Sequence, residues 1–193
     1  MLTRRNALLG AITATAATMA VPVAARSDTL STSNYRVPLR HLPRRVEVPA
    51  DFQPGVIYAV NAQHQLYWVD VPGQAIRYVM AIGAEGRALT GAAVIRRKVI
   101  QPSWRPTLSM IEAEPEIYAR FRDGLPGGHP MNPLGAAALY LYRGNRDTLY
   151  RIHGTPQPWT MGRSFSSGCL RLVNEHILDL YARVPLGTPV LVI

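Results

Sequence analysis

The sequence predicts a mainly β domain carrying one or two short helices. Three observations support this. Short runs rich in Val, Ile, Tyr and Trp recur from residue 56 onward, turn residues separate them at close intervals, and only 109–122 and 174–183 show helical spacing. The chain has 193 residues, about half of them apolar, enough for one domain with a full core and too few for two large ones.

Residues 1–25 read as an export signal. Thr3-Arg4-Arg5-Asn6-Ala7-Leu8-Leu9 is a twin-arginine start, an Ala/Thr-rich run follows to Met19, and Val23-Ala24-Ala25 offers small residues for cleavage. Ala7 stands where the twin-arginine pattern prefers an aromatic residue, so an ordinary Sec signal is the alternative. The run is short and threonine-weakened for a membrane anchor, so the mature chain is expected to have no transmembrane span and to work outside the cytoplasm.

Residues 26–52 read as a linker or N-terminal arm, because Pro38, Pro43 and Pro49 interrupt regular structure. Arg40, Arg44 and Arg45 within it suit a solvated tether or a contact with an acidic surface. The domain proper is expected over 53–193. Residues 56–60 and 65–69 are β-rich runs flanking Asn61-Ala62-Gln63-His64, the pattern of a hairpin. Ile76, Tyr78, Met80 and Ile82 alternate with Arg77, Val79 and Ala81, as in a strand with one well-buried face. Gly83-Ala84-Glu85-Gly86 is a turn; no helix pattern follows, which excludes a phosphate-cradling loop. Residues 94–100 form a further strand, whose Arg96, Arg97 and Lys98 read as a solvated face or an edge guard.

Gln101 to Pro106 is a rigid loop carrying Trp104, either a core residue or a cleft wall. Pro115 divides the helical stretch 109–122 into two short helices meeting at Glu114, and Glu112, Glu114 and Glu116 read as surface charge. The Gly- and Pro-rich loop 123–135 is long enough to suggest a functional role. Strands are expected over 136–142 and 148–152, the second delivering His153. Asn174 is placed to N-cap a helix through Arg183, with His176 exposed on it, and 190–193 closes a last strand.

The chemistry concentrates late in the chain. Cys169 is the only cysteine, so it has no disulfide partner within the chain, and it follows His153 by sixteen positions. A thiol nucleophile needs a neighbour that lowers its pKa or takes its proton, and an imidazole can do either before returning the proton to a leaving amine. Ser166, Ser167 and Gly168 allow a tight turn that could aim the amides of Ser167, Gly168 and Cys169 at an oxyanion, worth about 3 kcal/mol per donor in proteases.

His153-Gly154-Thr155, then Ser166-Ser167-Gly168-Cys169-Leu170-Arg171, resembles the signature of the L,D-transpeptidases, the YkuD-type catalytic domain of bacterial cell walls. Ser167 departs from the pattern, which commonly has a second histidine there. The resemblance spans roughly 53–193 and implies a sandwich-like pair of sheets. It also implies that Cys169 is the nucleophile, His153 the general base and acid, and the Gly154 carbonyl the group orienting His153. Arg171 and Ser166 are implied as substrate-binding, with Trp104 and Trp159 bordering the groove; Met161 and Phe165 would be further groove walls. The donor would be a peptidoglycan tetrapeptide stem that loses its terminal D-alanine. The acceptor would be the amine of a second stem, for a 3→3 cross-link, or an anchored envelope protein. Alternatives on the same scaffold are an L,D-carboxypeptidase, in which water replaces the amine, and a catalytically silent wall-binding domain.

Other classes fit less well. The formal charge is +9, and without Arg4 and Arg5 there remain 19 basic against 12 acidic residues, which suits an anionic envelope polymer. The arginines are scattered and no nucleic-acid motif accompanies them, so no nucleic-acid partner is expected. Zinc held by His129, His153 and Cys169 lacks any paired Cys/His spacing; no metal or other cofactor is expected. Papain-like peptidases place the cysteine before the histidine, and sortases place the histidine much further upstream.

Overall fold

The computed structural model describes residues 35–84, 87–166 and 168–193. The export signal at 1–25, the start of the arm, Glu85-Gly86 and Ser167 lie outside the described residues.

Eleven strands and three α-helices are formed in the described chain. In order they are β1 (Arg44–Glu47), β2 (Ile57–Val60), β3 (Gln65–Val71), β4 (Gln74–Val79), β5 (Ile82–Gly83), β6 (Gly91–Ile100), α1 (Leu108–Ala113), α2 (Pro115–Tyr118), β7 (Ala137–Arg143), β8 (Arg146–His153), β9 (Ser164–Ser166), β10 (Leu170–Arg171), α3 (Asn174–Arg183) and β11 (Pro189–Val192). Nine strands make one mixed sheet in the order β1-β4-β3-β2-β11-β6-β7-β8-β10, while β5 and β9 pair separately. The ends of the large sheet are brought back together. Ala81, just beyond β4, exchanges both backbone hydrogen bonds with Arg171 of β10, at 2.9 and 2.8 Å. This curvature gives the sandwich-like form and one continuous core, with Leu66 and Tyr78 from one half and Leu139, Leu141 and Ile152 from the other.

Helix α3 packs on β7 and β8, burying Ile177 and Leu180 completely, worth about 2 kcal/mol each in apolar transfer. Ala137 through Leu141 are buried on both faces of β7, which explains a continuous apolar run instead of alternation. Thr107 caps α1 by accepting from Met110 N at 3.2 Å, and Pro115 opens α2 at the division expected there.

Several expectations are corrected. The arm is not free of regular structure: four of the five residues between Pro43 and Pro49 form β1 along β4. Its Arg45 pairs with the protein's own Asp70 at 2.7 Å, and both Arg40 O and Leu42 O accept from the buried Arg77 guanidinium. Both faces of β4 are consequently buried, the second by Val79 and Ala81 with Met161, Val173 and Val37. Met161 is therefore a core residue and not a groove wall. β6 lies in the middle of the sheet, so Lys98 guards no edge; its ammonium donates to Tyr181 O and Val184 O at the end of α3, both at 2.6 Å. His176 is buried, since one helical turn stacks it with Leu180 on the covered face of α3.

Candidate active site

His153 ends β8 between two strands: it is paired with Ala138 of antiparallel β7 and Arg171 of parallel β10. The imidazole is buried, and its Nδ1 lies 2.6 Å from Gly154 O. A carbonyl only accepts, so Nδ1 carries the proton and Nε2 keeps its lone pair. Burial drives the imidazole down to about 3, helped by the charges of Arg171 and Arg151 and opposed by the bond to Gly154. His153 is a neutral base over the whole physiological range.

The turn after His153 is packed to its limit. Asn174 Oδ1 accepts from Ala136 N at 3.0 Å and from Thr155 N at 3.1 Å, tying the segment before β7 to the segment after Gly154. A Cβ on Gly154 would lie 2.8 Å from Ala136 N and would also strike Asn174 Oδ1. Asn174 is thus the first residue of α3, not its N-cap, and serves as a tie beside the histidine.

Cys169 precedes β10, and continuing the β10–β8 register places it abreast of Arg151. It is a half-buried thiol outside any disulfide, and its Sγ lies 3.9 Å from Leu149 O. Burial pushes the thiol up, against the backbone hydrogen bond at Arg151 and the charges of Arg151 and Arg171. Burial therefore favours the neutral form of both cysteine and histidine, an arrangement in which the imidazole can accept a proton and no thiolate is held beforehand. Gly168 has φ +134°, and a Cβ there would lie 2.6 Å from the Tyr150 ring and 2.7 Å from Arg87 O. Gly83 packs backbone to backbone against it, its own Cβ position being 2.7 Å from Gly168 Cα. The glycine read as a turn residue is in fact a buttress of the cysteine loop.

His153 and Cys169 line one cavity of about 550 Å³, together with Arg171, Trp104, Tyr118 and Tyr150. A second cavity of about 480 Å³ adjoins it, sharing Trp104, Tyr118, Pro133 and Arg171. Trp104 is half-buried against Tyr118 and Phe121 and backbone-paired with Leu125, so it serves both as packing and as wall. Trp159 lines neither cavity; it is 46% exposed and meets Tyr35 edge-on at 6.3 Å between ring centroids. Ser166 ends β9 opposite Gly83, and Ser167 lies outside the described residues. His129 accepts from Met131 N through Nδ1 and is not among the residues lining either cavity. Among the described residues, no three His, Cys, Asp or Glu side chains converge to hold a metal.

Residues not singled out in the sequence complete the wall. Arg151 lies two positions before His153 on the same strand, the spacing that shares a face, and that signal was available. It pairs bidentately with Asp147 at 2.7 and 3.0 Å and lies 4.2 Å from the Tyr140 ring centre, with Arg97 also over that ring at 4.6 Å. Leu149 has φ +64° in a bulge of β8, which no sequence pattern announced.

Comparison with known proteins gives these residues a family. The L,D-transpeptidase catalytic domain (YkuD) model matches residues 54–192. The chain belongs to the L,D-transpeptidase family. It is 31% identical over 158 residues to the probable L,D-transpeptidase ErfK/SrfK of Escherichia coli K12, covering 79% of this chain and 48% of that protein. The chain thus spans about half the length of the curated relatives it matches. A crystal structure from Brucella melitensis described as a probable carnitine operon oxidoreductase is similar at 45% identity and TM-score 0.56, covering 79% of this chain and 93% of that one. An L,D-transpeptidase from Mycobacterium smegmatis shares the fold at TM-score 0.52 and 17% identity, over 72% of this chain and 58% of that one. Among the described residues, no helix is long and apolar enough to cross a membrane.

Proposed function

We propose that this L,D-transpeptidase family member is an exported peptidoglycan transpeptidase acting in the periplasm or cell wall through a Cys169 acyl-enzyme. One observation carries the reading. The sole cysteine shares a cavity with a buried, neutral histidine whose Nδ1 is committed to Gly154 O, leaving Nε2 as the base.

The donor is a tetrapeptide stem. As Cys169 Sγ attacks the carbonyl carbon of its third residue, His153 Nε2 takes the thiol proton. The tetrahedral oxyanion meets the amides of Gly168 and Cys169, at about 3 kcal/mol per donor. The C–N bond to the terminal D-alanine then breaks, and the imidazolium protonates the leaving amine. A thioester remains. The acceptor amine attacks it, gives a proton to His153, and displaces the thiolate, which recovers that proton. Arg171 forms a charge-assisted pair with a stem carboxylate beside the reacting centre. The second cavity adjoining the first supports transfer between two bound chains over simple hydrolysis, and the acceptor is a second stem or an anchored envelope protein.

The test is product analysis of a tetrapeptide muropeptide incubated with the enzyme. D-alanine and a 3→3 dimer are expected, both absent with Cys169→Ala. D-alanine without a dimer, with stems as sole acceptor, would favour the carboxypeptidase. Neither product would favour a silent wall-binding domain.

A further inference from the structure

The Cys169 cavity is asymmetric in charge. Arg105, Arg151 and Arg171 line it, and no Asp or Glu is among its described lining residues. Arg151 is matched by Asp147 through two hydrogen bonds. Arg105 differs. Its side chain is exposed, and among the described residues it makes one long contact, 3.4 Å to Asp123 O, with no carboxylate at ion-pair distance. Its backbone is nonetheless fixed. Trp104 exchanges two hydrogen bonds with Leu125, at 2.9 and 2.7 Å, and packs on Phe121, while Pro106 on the other side is buried. Thr107 and Ser109 also line the cavity, their hydroxyls 2.9 Å from each other. A cation held on a rigid rim beside neutral hydroxyls, above a cavity without acids, is built to receive an anion.

From this we infer that Arg105 is a specificity-determining residue that selects donor stems whose carboxyls upstream of the terminal D-alanine are free, against stems carrying them as primary amides. The inference rests on the transpeptidase reading. Arg171 is aligned with His153 and half-buried, whereas Arg105 lines the same cavity from an exposed position; the inference assigns it the carboxylate upstream of the attacked carbonyl. An amide there cannot form the charge-assisted pair and leaves the guanidinium facing a neutral group. The pair is partly solvated, so the preference is moderate and weakens with salt.

The experiment measures D-alanine release from two synthetic tetrapeptide stems, one with its upstream carboxyls free and one with them amidated, at low and at about 0.5 M salt. Wild-type enzyme is expected to favour the free stem about three- to tenfold in kcat/KM at low salt, mainly through KM, with the preference shrinking in high salt. Arg105→Gln should bring the ratio close to one and Arg105→Lys should restore part of it. Arg105 is exposed, so both variants should keep the wild-type unfolding midpoint. Equal rates for both stems in the wild type, or an unchanged preference in Arg105→Gln, would overturn the inference and leave the transpeptidase reading intact. D-alanine release from neither stem would overturn that reading, and this inference with it.

Discussion

Replacing Asn174 by Ala isolates the contribution of one buried tie to the site. Its Oδ1 accepts from Ala136 N and Thr155 N, and both of those residues are buried. In the variant both amides lose their acceptor, and the glycines packed around Asn174, Gly135 and Gly154, leave little room for water. Each unsatisfied buried amide costs about 1–3 kcal/mol, and the better helix propensity of Ala returns about 0.5 kcal/mol, so a net loss of about 3 kcal/mol is expected. For a domain of this size that lowers Tm by about 6–12 °C. Urea unfolding followed by tryptophan fluorescence measures it, with D-alanine release on the same samples. The rate should fall as well, because the two amides flank the segment that holds Gly154 O against His153. Asn174→Asp keeps the acceptor at a helix N-terminus and should recover at least half of the stability. A loss below about 0.5 kcal/mol for the Ala variant would refute the tie, as would an Asp variant no better than Ala.

Three further outcomes follow from the geometry. With Cys169 pushed up by burial and His153 held neutral, alkylation by iodoacetamide should be slow near pH 7 and climb through pH 9; a fast, pH-independent rate below pH 7 would indicate a preformed thiolate–imidazolium pair instead. His153 and His176 are both buried as neutral rings, at about 3 and about 4, below the ordinary 6.5. The unfolded chain therefore binds protons first as pH falls below 6.5, and stability is lost between there and pH 3–4, each ring contributing up to about 1.4 kcal/mol per pH unit. His176→Gln should flatten the acid slope of urea-unfolding free energies relative to wild type, and identical slopes would contradict it. Lys98→Met removes two hydrogen bonds to the last carbonyls of α3 and should cost about 1–2 kcal/mol in the same assay, unlike Arg96→Met on the exposed side of β6.

Much of this molecule is legible in its sequence because the relevant signals are local. The strand periods, the split at Pro115 and the His153-Gly154 and Gly168-Cys169 pairs each describe themselves within a few residues. What escaped reading is long-range. Met161 is buried because Val37 of the arm and Val79 and Ala81 at the end of β4 pack with it, and His176 because it shares the covered face of α3 with Leu180; the sequence around each contains no sign of that cover. Lys98 resembles its neighbours Arg96 and Arg97 until the end of α3 arrives over it. Asn174 carries the composition of a cap, yet its oxygen is claimed by two amides 38 and 19 positions away. Trp159, placed by resemblance along the groove, is held by Tyr35 outside both cavities.

The most direct measurement is intact mass of the protein trapped with a tetrapeptide stem, followed by peptide mapping, for wild type, His153→Gln and Cys169→Ala. The account predicts an adduct of the stem lacking its terminal D-alanine, mapped to Cys169 in the wild type, strongly reduced in His153→Gln and absent in Cys169→Ala. An adduct that survives in Cys169→Ala, or that maps to another residue, would contradict it.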